Sequence, residues 1–232
     1  MSMKKIAGML LIMACAIYPL THAEEPLSPE EIQLQKDRIT YKNYIPKDYV
    51  LFEAVKGDLN KDGLSDLVLI VKSTDPHQWV DHEYRGKLDR NRRGIIVFLN
   101  EKNKYKKVVE NLSAFSSENE EGGVYFAPDL WFEIKKNNLY IRYAHGRYGW
   151  WGYTFRLDGQ DLRLIGYDQA DHHGPYVQSE TSINFMTSKK VIRINTNEDY
   201  EGDPKFKEKW SKVNTLPIYL SKIKDFDELS FD

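Results

Sequence analysis

Short stretches of β-branched, aliphatic and aromatic residues follow one another along most of this sequence, and they constrain its fold more than any other feature. Such residues favour the pleated, half-buried surface of a sheet. Reversals with turn signals separate several of them, and Asp158-Gly159 is the clearest because glycine supplies the positive φ of a tight turn. We therefore predict an all-β fold, an antiparallel meander of blade-like sheets. The stretches cover residues 49–55, 67–72, 94–99, 105–109, 131–135, 139–143, 151–157, 161–167, 182–186 and 191–195.

A short peripheral helix is predicted before the first strand, over residues 28–37. Ser28 is a good N-cap, Pro29 suits the first turn, and Glu31 stands where its carboxylate can bond back to the cap. A second peripheral helix is predicted near the other end, where Asp203-Pro204 precedes Phe206 and Trp210.

These two aromatic residues are one helical turn apart and could dock together on a sheet. Two polar segments, 75–93 and 113–123, are predicted to be loops. Residues 216–223 are predicted to form a last extended piece that closes an edge.

The N-terminal segment has the pattern of a secretory signal peptide. Lys4 and Lys5 precede an apolar run over residues 6–20, and small residues stand three and one before a cleavage point after Ala23. The run has 15 residues, fewer than the roughly 20 that span a bilayer, so no transmembrane segment is predicted in the mature chain. A permanent membrane anchor and lipoprotein processing at Cys15 are the alternatives.

Cleavage there predicts an exported, periplasmic chain. We divide it into an N-terminal extension with the short helix, residues 24–47, and a single β-rich domain, residues 48–232. The one cysteine is lost with the signal peptide, so neither a disulfide nor a thiolate metal site is expected. Loss of two lysines leaves 31 basic against 35 acidic residues, a net charge of −4, which argues against nucleic-acid binding.

Residues 58–66, which we call the acidic loop, carry the sharpest chemical pattern of the sequence. Oxygen-bearing side chains stand at its positions 1, 3, 5 and 9, a glycine at position 6 permits a sharp turn, and position 7 can offer its carbonyl. Calcium takes about six to eight oxygen ligands, so the loop predicts a structural calcium site. The predicted ligands are Asp58, Asn60, Asp62, Leu64 and Asp66.

The flanks of this loop distinguish the site from an EF-hand. Position 12 is Leu69 where an EF-hand has a bidentate Glu, and both neighbouring segments have strand patterns. We therefore expect a strand-loop-strand site that Asp66 closes. An acidic turn that binds no metal is the alternative.

Residues 57–67 resemble the loop of the FG-GAP or VCBS-like repeat family, found in integrin α-chain propellers and many bacterial exported proteins. The resemblance covers about a dozen residues. It implies calcium held by the side chains of Asp58, Asn60, Asp62 and Asp66 and by the carbonyl of Leu64. A propeller needs about four or more such sheets, and the sequence has no second good copy of the loop. We therefore expect a blade-like sheet packed on further hairpins and no closed propeller.

Residues 143–153 are the densest aromatic stretch. If they were buried, their rings would be core residues of a hairpin. If they were exposed, they could bind a protein or a glycan, because Trp, Tyr and Arg dominate binding hot spots. Alternation along a strand would turn Trp151 and Tyr153 to one side and leave other residues of the stretch available for binding. The candidate binding surface consists of His145, Arg147, Tyr148 and Trp150.

No pattern of nucleophile, base and acid typical of an enzyme is present, and a Gly-x-Ser-x-Gly elbow is missing. We therefore predict an exported, non-enzymatic β scaffold that binds another macromolecule, with a role as an inhibitor or immunity protein against a secreted toxin compatible with its size. The alternatives are a carbohydrate-binding module and an envelope carbohydrate hydrolase. The hydrolase would use carboxylates such as Asp129 or Glu133 beside the aromatic stretch.

Overall fold

The structure is a computed structural model that describes residues 26–102, 104–120, 126–197 and 202–231. The predicted signal peptide, residues 1–23, and its Cys15 lie outside the described residues. The described part contains one α-helix, α1 (Pro29–Thr40), and thirteen strands. The strands are β1 (Tyr49–Gly57), β2 (Asp66–Ser73), β3 (Trp79–His82), β4 (Gly86–Asp89), β5 (Arg93–Glu101), β6 (Lys104–Phe115), β7 (Asp129–Lys135), β8 (Asn138–Ala144), β9 (Gly149–Asp158), β10 (Asp161–His173), β11 (Tyr176–Asn184), β12 (Lys189–Asn195) and β13 (Phe206–Lys212).

Helix α1 begins as the sequence predicts and continues past residue 37 to Thr40. The Glu31 N–H donates to the Ser28 hydroxyl at 3.2 Å, and the Ser28 N–H donates to the Glu31 carboxylate at 2.7 Å. This reciprocal pair satisfies two backbone donors that a helix start leaves open. Leu34 and, just after the helix, Tyr41 pack on one face of the first sheet.

The first sheet has the strand order β1-β2-β5-β6, and all its pairs are antiparallel. Its central strands, β2 and β5, are buried on both faces, which explains their nearly continuous apolar sequences. One face is covered by α1 and the turn after it, and the opposite face packs on the second sheet. Side chains toward α1 include Leu67, Leu69, Val71 and Ile96, and those toward the second sheet include Val68, Ile70, Ile95 and Val97.

The second sheet is a meander of seven strands, β13-β12-β11-β10-β9-β8-β7, each paired with its neighbour in the sequence. The hairpin between β7 and β8 turns at Lys136 and Asn137, whose φ values are +49° and +59°. Both central residues of a type I′ turn have positive φ, and this turn matches the twist of paired strands. Gly159, with φ of +67°, makes the predicted turn between β9 and β10.

A C-terminal segment fills the space between the two sheets. The ring of Phe226 stacks on Phe115 with centroids 4.8 Å apart and meets Tyr153 edge-on at 4.9 Å. The Phe226 N–H donates to the carbonyl of Ala114 at 2.9 Å. Phe231 extends the same aromatic cluster, 4.9 Å from the ring of Tyr167. The last described residues are therefore part of the central core.

The helix predicted after Asp203-Pro204 is wrong. The residues that follow form β13, which pairs with β12 from Asn195 opposite Phe206 to Lys189 opposite Lys212. Phe206 and Trp210 are four residues apart, a spacing that puts two residues on the same side of a helix and also of a strand. The spacing alone therefore could not identify the element.

The predicted loop over residues 75–93 is wrong in part, because it contains the small hairpin of β3 and β4. In the predicted loop over 113–123, β6 continues to Phe115, and residues 121–123 lie outside the described residues. The extended piece predicted over 216–223 forms a single bridge, between Tyr219 and Arg163, followed by a 3₁₀ turn at Leu220–Lys222.

The fold class predicted from the sequence is confirmed. The chain is mostly β, its sheets are antiparallel, and neither large sheet closes on itself. Each of the ten predicted stretches lies within or overlaps a strand of the structure. None of the helices in the described ranges has the length and apolar character needed to cross a bilayer.

Candidate functional site

The acidic loop connects β1 to β2, and its own side chains determine its shape. The Asp58 carboxylate accepts hydrogen bonds from the N–H groups of Lys61 at 2.6 Å and Gly63 at 3.1 Å. Gly63 has a φ of +81°, a left-handed conformation that glycine adopts without strain. The sharp turn at position 6 of the loop is therefore present as the sequence predicts.

Asn60 and Asp62 extend this pattern. The Asp62 N–H donates to the amide oxygen of Asn60 at 3.0 Å, and the Leu64 N–H donates to the Asp62 carboxylate at 2.7 Å. The Asn60 amide also donates to the second Asp62 oxygen at 3.0 Å. These bonds satisfy backbone donors in a segment that forms no sheet ladder.

Asp66 is fully buried and joins the acidic loop to the first sheet. One of its oxygens accepts from the Leu59 N–H at 2.7 Å and the other from the Asn100 N–H at 2.8 Å. The loop also contacts the second sheet, because the Asn137 side chain donates to the carbonyl of Asp58 at 2.8 Å. It therefore lies where the ends of the two sheets meet.

The donor types of the predicted calcium site are those that this ion prefers, namely carboxylate, amide and backbone carbonyl oxygens. A carboxylate oxygen that accepts one hydrogen bond keeps acceptor capacity for an ion. Across the described ranges, no three Asp, Glu, His or Cys side chains form a group arranged to hold a metal. Asp58, Asp62 and Asp66 of the predicted site are therefore not brought together as such a group, and calcium binding by the loop stays a prediction.

The dense aromatic stretch is divided between the two faces of the second sheet. Tyr143 and Tyr153 are buried in the core, and Trp151 stacks on Tyr143 with centroids 5.1 Å apart. Burial raises the pKa of the Tyr143 and Tyr153 hydroxyls well above the ordinary value, so both are neutral. Trp150, one residue before Trp151, lies on the opposite, outer face.

His145, Arg147 and Tyr148 lie together on the 3₁₀ turn before β9. Their turn borders a depression of about 370 Å³ that Phe126 also lines. The His145 and Tyr148 rings are 5.1 Å apart, and the Arg147 guanidinium lies 5.5 Å from the Tyr148 ring. The structure brings these three predicted residues together and leaves Trp150 on the adjoining sheet face.

Trp150 belongs to a second depression, which we call the aromatic cleft. The Arg142 guanidinium stacks on the Trp150 ring, 4.2 Å from its centroid. Trp131, 48% exposed, is directly opposite Arg142 on the neighbouring strand, and Asp168 lies beyond Gly152 on the other side. The cleft has a volume of about 260 Å³, and its lining includes Trp131, Glu133, Arg142, Trp150, Gly152 and Asp168.

Trp131 and Arg142 were missed because no local pattern singles them out. Each is an outward residue of a predicted strand, and their proximity depends on the register of the β7–β8 hairpin. That register follows from the two-residue turn at Lys136 and Asn137. Counting outward from this turn would have placed Trp131 opposite Arg142.

The carboxylates beside the cleft are widely spaced. Asp129 and Glu133 are on the outer face of β7, four residues or about 13 Å apart along the strand. Glu133 and Asp168 are on strands separated by three strand spacings, about 14 Å. Glycoside hydrolases hold their two carboxyl groups about 5–9.5 Å apart. The backbone positions of these residues are therefore farther apart than the carboxyl groups of such a pair, although Glu133 and Asp168 line the same cleft.

Comparison of this chain with protein-family models, with curated proteins and with solved structures found no significant match.

Proposed function

We propose that this chain is an exported, non-enzymatic β scaffold that binds another macromolecule through the outer face of its second sheet. The observation that carries the proposal is the aromatic cleft, in which Trp131 and the stacked Arg142–Trp150 pair are accessible on a sheet face. Trp and Arg are the side chains that most often dominate binding energy. Inhibition of a secreted toxin is one role that such a surface could serve.

A binding role agrees with the chemistry of the face better than hydrolysis does. The backbone positions of Asp129, Glu133 and Asp168 are more widely spaced than the carboxyl pair of a glycoside hydrolase, which favours binding over hydrolysis. A rigid sheet, by contrast, presents side chains in fixed positions and lowers the entropy lost on binding.

We propose that calcium in the acidic loop stabilises this scaffold. The loop contacts both sheets, through Asn100 of the first and Asn137 of the second. An ion that binds only the folded chain adds roughly 2.7 kcal/mol of stability at a hundredfold excess over its Kd. In an exported chain without disulfides, this contribution would replace a covalent cross-link.

Co-sedimentation with a Gram-negative cell-envelope preparation tests the binding function. The wild-type protein, produced from residues 1–232, is compared with a Trp131→Ala/Arg142→Ala double variant and with Trp210→Ala. Trp210 is a matched control because it is 60% exposed on the same sheet, on the distant strand β13.

We expect the wild type and the control to sediment with the envelope and the double variant to lose about tenfold or more in affinity. Failure of the wild type to bind, or equal binding by the double variant, would contradict the proposal.

A further inference from the structure

We infer that the aromatic cleft binds a neutral glycan, an inference that rests on the proposed binding function and names its ligand class. The cleft combines two indole rings, a guanidinium and a carboxylate on one sheet face. A sugar chain presents apolar C–H faces for stacking and hydroxyl groups for hydrogen bonding. The indole rings of the cleft can stack on the C–H faces, and its guanidinium and carboxylate can form hydrogen bonds with the hydroxyl groups.

The two indole rings provide the stacking surfaces. Trp131 on β7 and Trp150 on β9 are separated by one strand, which places their backbones about 10 Å apart across the sheet. Both project from the outer face, because Phe132 and Trp151, their neighbours in the sequence, face the core. Stacking a sugar ring on either indole removes apolar surface of both partners from water.

Arg142 supplies hydrogen-bond donors between the rings. Its guanidinium is stacked on Trp150 and, within the part of the chain that the structure describes, forms no hydrogen bond or ion pair with another side chain. A guanidinium has five N–H donors, and stacking holds its plane in a fixed orientation. These donors are available for ligand oxygen atoms.

The charges around Arg142 favour a neutral ligand. Glu133 and Asp168 line the cleft with Arg142, and Lys135 lies 3.8 Å from Glu133, so a polyanion in the cleft would meet two carboxylates beside the one guanidinium. A polycation would meet Arg142 in the centre of the cleft. Hydroxyl groups both donate and accept, so a neutral glycan can donate to Asp168 while it accepts from Arg142.

Gly152 lies at the bottom of the aromatic cleft. It lies opposite Arg142 on one side and Asp168 on the other, and its missing side chain leaves open space between them. A Cβ built there would be 3.4 Å from the Ile141 carbonyl oxygen and 3.7 Å from the Arg142 Cγ, which are ordinary contacts. The fold therefore tolerates a side chain at this position, but that side chain would occupy the space of the ligand.

Binding to immobilised polysaccharides tests the inference. The probes are a neutral polymer of hexose units, a neutral polymer of N-acetylhexosamine units and a uronic-acid polymer for comparison. We expect a neutral polymer to bind more tightly than the uronic-acid polymer. Trp131→Ala and Gly152→Val should each weaken that binding about tenfold or more, and Trp210→Ala should leave it unchanged.

Thermal melts of all variants establish that each remains folded. Gly152→Val matters most here, because valine suits a strand and blocks the cleft without removing any contact residue. Equal binding by Gly152→Val, preference for the uronic-acid polymer, or no binding to either neutral polymer overturns the inference.

Treatment of the envelope preparation separates this inference from the proposed function. Periodate cleaves the vicinal diols of sugars, and protease removes protein ligands. Loss of binding after periodate but not after protease supports a glycan. Loss after protease alone identifies a protein ligand, which overturns the glycan inference and leaves the proposed function standing. No binding to untreated envelope contradicts the proposed function itself.

Discussion

Asp66 is both a predicted calcium ligand and a residue that attaches the acidic loop to the first sheet. Its place at position 9 of the acidic loop predicts a calcium ligand. In the structure, its buried carboxylate accepts the N–H groups of Leu59 and Asn100, which attaches the loop to the sheet. Asp62, by contrast, is exposed and bonds only to loop neighbours. Substitutions at the two positions can therefore separate ion binding from loop attachment.

Asp62→Ala should lower the melting temperature in the presence of calcium and remove most of the shift that a chelator causes in the wild type. Asp66→Asn should destabilise the protein by about 1–3 kcal/mol even with chelator present, because an amide NH₂ replaces one of two buried acceptors. Calorimetric melts with and without chelator measure both effects. If chelator leaves the wild-type melt unchanged, the loop has no calcium-dependent structural role.

At this scale the sequence predicts contacts within one turn and does not predict contacts between strands. The sharp turn of the acidic loop could be predicted because the residues that form it lie within nine consecutive positions, whereas calcium binding there stays a prediction. The pairing of Arg142 with Trp131 and Trp150 depends on two strand registers, which a local pattern does not contain. Register is determined by turns and by the burial of a whole face, and it must be worked out strand by strand.

At the scale of elements, strands were predicted well where a core imposes alternation or continuous apolar character. The error at β13 arose at an edge, where no such constraint acts. Most of β13 is exposed. Four of its seven residues are Lys or Glu, so the strand shows no alternation of apolar and polar side chains. Charged side chains, especially Lys, are common on edge strands because they prevent further pairing.

Hydrogen exchange should reveal this difference between central and edge strands. We expect the amides of β2 and β5 to exchange only through global unfolding, because both strands are buried and paired on each side. The amides of β13 and of the β3–β4 hairpin should exchange faster through local opening. Mass spectrometry of peptic fragments measures the two classes. Equal protection of β13 and β5 would contradict the expectation.

At the scale of the whole molecule, the C-terminal segment holds the two sheets together. Phe226 is 1% exposed and contacts rings from the first sheet and the second. The sequence predicted an extended piece over residues 216–223 but gave no sign that Phe226 and Phe231 enter the core. Whether such residues enter the core depends on the space between the two sheets. A local sequence pattern does not predict that space.

Phe226→Ala should cost about 3–5 kcal/mol of folding free energy, the usual range for an aromatic ring lost from a core. Leu216→Ala, at a site that is 86% exposed in the same segment, is the matched control and should change stability little. Urea denaturation followed by tryptophan fluorescence measures both. A loss below about 1 kcal/mol for Phe226→Ala would show that the segment does not contribute to the core in solution.

A partly buried ion cluster should make stability depend on pH. The Lys72 ammonium lies 2.7 Å from Asp89 and 2.6 Å from Glu118. Burial raises the pKa of Asp89, but hydrogen bonds from Lys72 and Asn91 outweigh it and bring the pKa below the ordinary 3.8. Burial lowers the pKa of Lys72, but hydrogen bonds to the two carboxylates raise it above the ordinary 10.5.

The stability that Asp89 contributes is therefore present above its unfolded pKa and lost as the pH falls through the lower, folded pKa. Lys72→Met removes the ammonium group that pairs with Asp89. We expect this variant to be less stable than the wild type at pH 7. As the pH falls below about 5, it should lose less unfolding free energy than the wild type does. Lys106→Met, at an exposed ion pair with Glu101, should keep the wild-type profile. Unfolding free energies across the acid range test this, and parallel curves for wild type and Lys72→Met would contradict it.

The presence of Phe226 and Phe231 in the core has a consequence for biosynthesis. A growing chain cannot close its interior until residue 231 has left the ribosome, although α1 and the first sheet are made much earlier. During that delay the chain lacks part of its core, so we expect it to be less compact than the finished fold. If the predicted export occurs, late completion of the core would keep the protein competent for translocation until residues 226–231 have been made.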